Sequence, residues 1–304
     1  SEHVLDATDG FALYVDAARL AGVPDDVCQA TREAAQAEGR DGHKLTLHIP
    51  VWMPLMQYAH DRDLRQELYR AYVTRASEFG PPERDNSGLM RELLQLRQEE
   101  AALLGYPSYA DLSLVPKMAQ SPSQVMHFLR DLARRARPHA QRDLAELRDH
   151  ARERLGIDTL EVWDLHYASE RLKEARYAFS EQEVKQYFTE PRVLQGLFHI
   201  VETLFEVRIV PDTAPVWHDT VRFYRIERGG ADGQPARVVG QFFLDPYARA
   251  GKRPGAWMDE VRSRWLRPDA RLQTPVAHLV CNFAAPATGP DGRPYWERDP
   301  PFDI

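Results

Sequence analysis

At 304 residues the chain is long enough to bury one large core or two smaller ones. With 43% hydrophobic and 28% charged residues, it has the composition of a globular protein and not of a disordered or fibrous one. Its net charge of -7 is made of interleaved acids and bases, so no cationic stripe offers itself to phosphates and a nucleic-acid partner is excluded.

Taken in chain order, the first two thirds predict helices. Pro24 followed by Asp25 and Asp26 suits the first turn of a helix reaching about Gly39, because proline lacks a donor that a first turn leaves free anyway. Residues 46–49 predict a short extended stretch stopped by Pro50. Asp61 predicts a cap for a helix with Leu64, Leu68, Ala71 and Tyr72 on one face. Asn86 predicts the next cap, with Leu89, Leu93, Leu96 and Leu103 turned inward and Gly105 as the stop. Ser121, Pro122 and Gln124 combine a capping-box pattern with proline at the first helical position. The helix they open runs towards Gly156 with Val125, Phe128, Leu132, Ala136, Ala140, Leu144, Leu147 and Ala151 as its apolar stripe, and Pro138 is expected to kink or divide it. A second capping box spans residues 180–183, and residues 192–205 predict another helix.

Beyond residue 206 the period changes. Residues 207–210 are short and rich in β-branched side chains, and residues 221–227 and 238–244 alternate as strands do, with a glycine-rich tip at 229–233 between them. Residues 274–283 make a third strand. The expected fold is mainly α, a helical region over 1–205 followed by a small, mostly antiparallel β-sheet region over 206–304.

No H-E-x-x-H pair of histidines one helical turn apart occurs. His43 and His48, and His139 and His150, read as ordinary surface or half-buried histidines. There is no G-x-S-x-G elbow and no glycine-rich phosphate loop, and Cys28 reads as a small core thiol. Residues 251–255 place Lys252 and Arg253 between glycines, as either a substrate loop or a plain solvated turn. The strand at 276–283 is either an edge that pairs with an extended peptide or an ordinary buried strand. Cys28 and Cys281 form no disulfide framework, no apolar run approaches the roughly 20 residues of a membrane helix, and no leader pattern opens the chain. A cytoplasmic protein with no membrane partner is expected.

Several phrases resemble the oligopeptidase A and thimet oligopeptidase family of zinc metallopeptidases. They run from His3, Val4, Leu5 and Asp6 through the segments 68–77, 85–87, 132–138 and 216–218 to 243–249, 255–259 and 275–283, in order over nearly the whole chain. The resemblance implies a mostly helical scaffold with a deep channel that admits short peptides. It implies hydrolysis by a zinc-activated water, with the Glu of an H-E-F-G-H motif accepting the proton. In the family that motif follows the strand that ends here at Phe283, and no catalytic or zinc-binding position falls within residues 1–304. The chain therefore reads as an internal stretch ending before the zinc segment, inactive by itself, with residues 289–304 departing from the family wording. The strand implies a place beside the cleft, which nominates His278, Val280 and Asn282 as lining residues and Gly255 and Ala256 as a neighbouring loop, with short peptides as the partner. The alternative from another class is a non-catalytic helical module that binds peptides or a protein.

Overall fold

The computed structural model describes residues 2–178, 184, 185, 187–229 and 235–286. Helices and two short strands open the chain: α1 (Glu2–Asp9), β1 (Leu13–Val15), α2 (Asp25–Gln36), β2 (His43–Leu45), α3 (Ile49–Tyr58) and α4 (Arg62–Val73). Four helices follow: α5 (Ser87–Leu103), α6 (Tyr109–Leu114), α7 (Pro122–Leu155) and α8 (Leu165–Tyr177). After α9 (Glu190–Phe205) come the strands β3 (Arg208–Asp212), β4 (Arg222–Arg228), β5 (Arg237–Tyr247), β6 (Trp257–Arg262), β7 (Trp265–Leu266), β8 (Leu272–Gln273) and β9 (Val276–Phe283). The fold is thus mainly α with a five-stranded mixed sheet in its C-terminal part. No helix among the described residues is long and apolar enough to cross a membrane.

The chain divides into two compact units. One joins the residues up to Phe11 to Met56–Arg176; the other joins Ala12–Leu55 to the chain from Tyr177 onward. In the first, Asp61 caps α4 as expected, its Oδ1 accepting from Leu64 N at 2.9 Å, and Leu64 and Leu68 are buried. Asp164, itself fully buried, accepts from Arg62 Nη2 at 2.7 Å, Arg65 Nη2 at 2.8 Å and Glu161 N at 3.1 Å. That network ties α4 to the turn that starts α8. Burial alone pushes the Asp164 carboxyl up, but these donors outweigh it and hold it below the ordinary range. Leu147 and Ala151 of α7 pack on Ala168 of α8, and Gly156 closes α7 in the left-handed conformation at φ 66°.

Several local expectations are corrected here. The strand expected at 46–49 lies earlier, at His43–Leu45, and Pro50 sits in the first turn of α3, where its missing donor does no harm. Asn86 does not cap α5 with its side chain, which bonds His3 instead; Asp85 Oδ1 takes the Ser87 amide at 2.8 Å. Leu89, Leu93, Leu96 and Leu103 are exposed, as are Phe128 and Leu132 at the start of α7, so their apolar faces are not core faces among the described residues. The Ser121 cap is present, and α7 runs on through Pro138 without a break. The second capping box at 180–183, most of the hairpin tip at 229–233 and the segment 289–304 lie outside the described residues.

In the second unit α2 covers the β1–β2 pair. Gly42 is required between them: its φ is +85°, and a Cβ would lie 2.6 Å from the Val15 carbonyl oxygen. The larger sheet has the order β3-β4-β5-β9-β6, in which only the β5–β9 pairing is parallel. Phe198 of α9 packs edge-on against Tyr224 and Phe242, which closes one face of that sheet.

Candidate substrate-binding site

Strand register decides which side chains share the other face. Residues directly opposite each other in a sheet point the same way, and alternate residues point to opposite faces. Phe243 of β5 lies opposite His278 of β9, which lies opposite Asp259 of β6; Asp245 lies opposite Val280, which lies opposite Trp257. His278, Val280 and Asn282 therefore stand on the face that α9 does not cover. Trp217, from the loop before β4, packs on that face with its ring centroid 5.2 Å from Phe243 and 5.1 Å from His278.

The strand 276–283 is central. It pairs with β5 on one side and β6 on the other, so the edge available to an extended ligand is not its own. Among the described residues the sheet's outer strands are β3 and β6, and β6, the one beside this strand, is exposed along nearly its whole length. Gly255 and Ala256 lead directly into it. Asn282 Nδ2 donates to the Arg253 carbonyl at 2.9 Å and to the Gly255 carbonyl at 2.6 Å, so the nominated loop and the nominated strand are joined by one side chain. The structure brings Gly255, His278, Val280 and Asn282 to one corner of the sheet, with Ala256 in the loop beside them.

That corner also holds Lys252 and Arg253 of the glycine-flanked loop, and with them Asp245 and Arg249, which the reading of the sequence did not single out as site residues. Asp245, at the C-terminal end of β5, is buried and receives Arg249 Nη1 at 2.7 Å and Arg249 Nη2 at 2.8 Å. Lys252 Nζ reaches it at 2.9 Å and Trp217 Nε1 at 3.1 Å. Burial would raise the Asp245 carboxyl, but the Arg249, Lys252 and Trp217 donors prevail and hold it at about 2. Burial draws Lys252 below the ordinary lysine range in spite of Asp245, and it raises the Cys281 thiol. Trp217, Asp245, Arg249, Lys252, Arg253, Trp257, His278 and Val280 line a hollow of about 400 Å³ next to the start of β6. The signal for these residues lay in the spacing of Asp245, Arg249 and Lys252 around the glycines, but only the fold shows that one buried carboxylate organises the loop. A second buried group supports the same strand from below: Tyr247 donates to Glu190 of α9, which also pairs with Arg222 at 2.5 Å, and burial together with Glu190 raises the Tyr247 phenol.

Nothing here resembles a metal centre. No group of three or more His, Cys, Asp or Glu among the described residues could hold a metal ion. What the corner offers is an exposed strand edge, aromatic walls and a cationic loop, which are means of binding an extended peptide.

The family model for peptidase family M3 matches residues 55–294. Oligopeptidase A of Haemophilus influenzae is 43% identical over 290 residues, covering 94% of this chain and 42% of that protein. Oligopeptidase A of Escherichia coli K12 is 43% identical over 293 residues, covering 95% and 42%. An organellar oligopeptidase A, chloroplastic/mitochondrial, of Arabidopsis thaliana is 38% identical over 304 residues, covering 94% and 37%. The chain thus spans about two fifths of the length of the curated relatives it matches.

Proposed function

The chain belongs to peptidase family M3, and from that premise we propose that the whole protein is a zinc-dependent oligopeptidase that hydrolyses short peptides, with this chain as its scaffold and one wall of the substrate cleft. The observation that carries the reading is the exposed outer strand β6 beside the corner formed by Gly255, Ala256, His278, Val280 and Asn282. Peptidases of this family are zinc-dependent. The described residues do not supply a zinc site, so no hydrolytic step is assigned to them.

The work of this chain's own residues is binding and orientation. An extended peptide adds to β6 through main-chain hydrogen bonds, which read no side chain and so tolerate many sequences. Gly255 and Ala256 carry little bulk and let the peptide backbone approach the start of the strand. Asn282 fixes the carbonyls of Arg253 and Gly255 and with them the direction in which the chain enters β6. His278 and Val280 form the floor beside it.

The test pairs binding with turnover. The 304-residue chain is titrated with an internally quenched octapeptide, and its hydrolysis is followed with and without a chelator. Peptide binding with no hydrolysis is expected. Chelator-sensitive cleavage by this chain would overturn the assignment of the chemistry to residues outside 1–304, and failure to bind any peptide would overturn the cleft wall. Binding without turnover by the full-length gene product would favour the non-catalytic peptide-binding module instead.

A further inference from the structure

The loop from β5 to β6 carries more positive charge than its own carboxylate can match. Arg249 and Lys252 are both committed to Asp245, and Lys252 Nζ also donates to the carbonyls of Asp245 at 3.0 Å and Tyr247 at 2.7 Å. Arg253 is different. Among the described residues it has no carboxylate partner, it is exposed, and its guanidinium carbon lies 5.9 Å from the centroid of Trp257. It stands at the hollow of about 400 Å³ whose aromatic walls are Trp217, Trp257 and His278. Among the described residues no ion pair joins it to the acids farther along β6: Asp259 accepts from its neighbour's amide at 2.9 Å and Glu260 from the Ser263 hydroxyl at 2.7 Å.

We propose that this hollow is a specificity subsite for a carboxylate carried by the bound peptide, with Arg253 as its partner and Trp217 and Trp257 as its walls. The inference rests on the peptide-cleft reading and deepens it. Arginine presents a planar fork of donors that matches a carboxylate in two-point geometry. The indole of Trp257 lies beside the exposed guanidinium and limits the directions from which a carboxylate can approach it. Arg249, Lys252 and Asp245 contribute one further net positive charge close by, which favours an anion without offering it their own committed donors. The carboxylate can come from an acidic side chain or from the peptide's C-terminus; the volume admits either.

Four hexapeptides of otherwise identical sequence separate the possibilities: one with Glu and an amidated end, one with Gln and an amidated end, one with Gln and a free end, and one with Lys and an amidated end. Each is titrated into the 304-residue chain while tryptophan fluorescence is followed, since two indoles line the hollow. At least one carboxylate-bearing peptide is expected to bind about tenfold more tightly than the amidated Gln peptide. The Glu arm identifies a side-chain ligand and the free-end arm a terminal one. Arg253→Ala is expected to abolish the preference, Arg253→Lys to retain part of it, and Arg253→Glu to transfer it to the Lys peptide. Circular dichroism matching the parent protein shows that the variants fold. Equal binding of all four peptides would overturn the subsite while leaving the peptide cleft intact, as would a preference that survives Arg253→Ala. Binding of none would overturn both.

Discussion

Asp245 ends β5 with 3% of its surface exposed and four donor atoms on its two oxygens. Asp245→Asn would remove the charge that balances Arg249 and the buried Lys252 while keeping the side chain's size. Breaking such a pair from one side leaves an uncompensated buried cation, at a cost of about 3 kcal/mol. Urea denaturation near neutral pH is expected to show that loss. The pH dependence has a definite sign. The folded carboxyl titrates at about 2, below the ~3.9 of an unfolded aspartate. Its contribution is therefore fully present above about pH 4 and disappears as the pH falls towards 2. The gap in urea midpoint between the parent chain and Asp245→Asn should narrow over that interval; a constant gap would show that the carboxylate's charge is not what stabilises the loop. Gly42 makes a steric counterpart. Gly42→Ala would place a methyl 2.6 Å from the Val15 carbonyl oxygen at φ +85°, whereas Gly39→Ala, at φ +68° with no atom within 4 Å, meets only the backbone penalty. The former is expected to lower stability by about 3 kcal/mol and the latter by about 1 kcal/mol. Equal falls in Tm would contradict the close approach.

At the scale of elements, the signals that depend on neighbouring residues were legible and those that depend on distant partners were not. The caps at Asp61 and Ser121, the stop at Gly156 and the alternation in β4, β5 and β9 are written within a few residues of themselves. The neighbours of β9 are not. Its position between β5 and β6 follows from β6 folding back against it, and β6, with its exposed charged residues, gives a weak strand pattern. The grouping of His278, Val280 and Asn282 on one face was legible from alternation, whereas the buried Asp245 that organises the adjoining loop was not, because burial is a property of the fold. The long helix α7 shows the same limit. Its stripe is continuous in sequence, yet Leu147 is 9% exposed near one end and Phe128 is 64% exposed near the other. Helical hydrogen bonds without tertiary cover open locally at small free-energy cost. Amide exchange is expected to be faster by an order of magnitude or more over residues 125–137 than over 145–153. Uniform protection along α7 would mean that its first half has cover of its own.

For the molecule as a whole, the uncovered apolar surface has the larger consequence. On α5, Met90 and Leu94 are 62% and 65% exposed, with Leu89, Leu93 and Leu96 around them, and Met126, Phe128, Leu129 and Leu132 of α7 are exposed as well. A folded monomer in water rarely presents so many large apolar side chains on two helices, because each loses the stabilisation of burial, on the order of 1.5–3 kcal/mol for a leucine or phenylalanine. Surface of this kind is expected to bind 1-anilinonaphthalene-8-sulfonate and to drive self-association. Sedimentation velocity of the 304-residue chain should then show species heavier than its 34.9 kDa monomer, increasing with concentration. Replacing Met90, Leu94 and Phe128 together by glutamine should shift the distribution towards the monomer and reduce dye binding. It should leave the fluorescence response to peptides unchanged, because those three side chains belong to the helical unit and the hollow beside β6 to the other. A parent chain that stays monomeric and dye-free at high concentration would show that these helices find cover within the molecule. Loss of peptide binding in the triple variant would show that the second unit depends on the first for its fold.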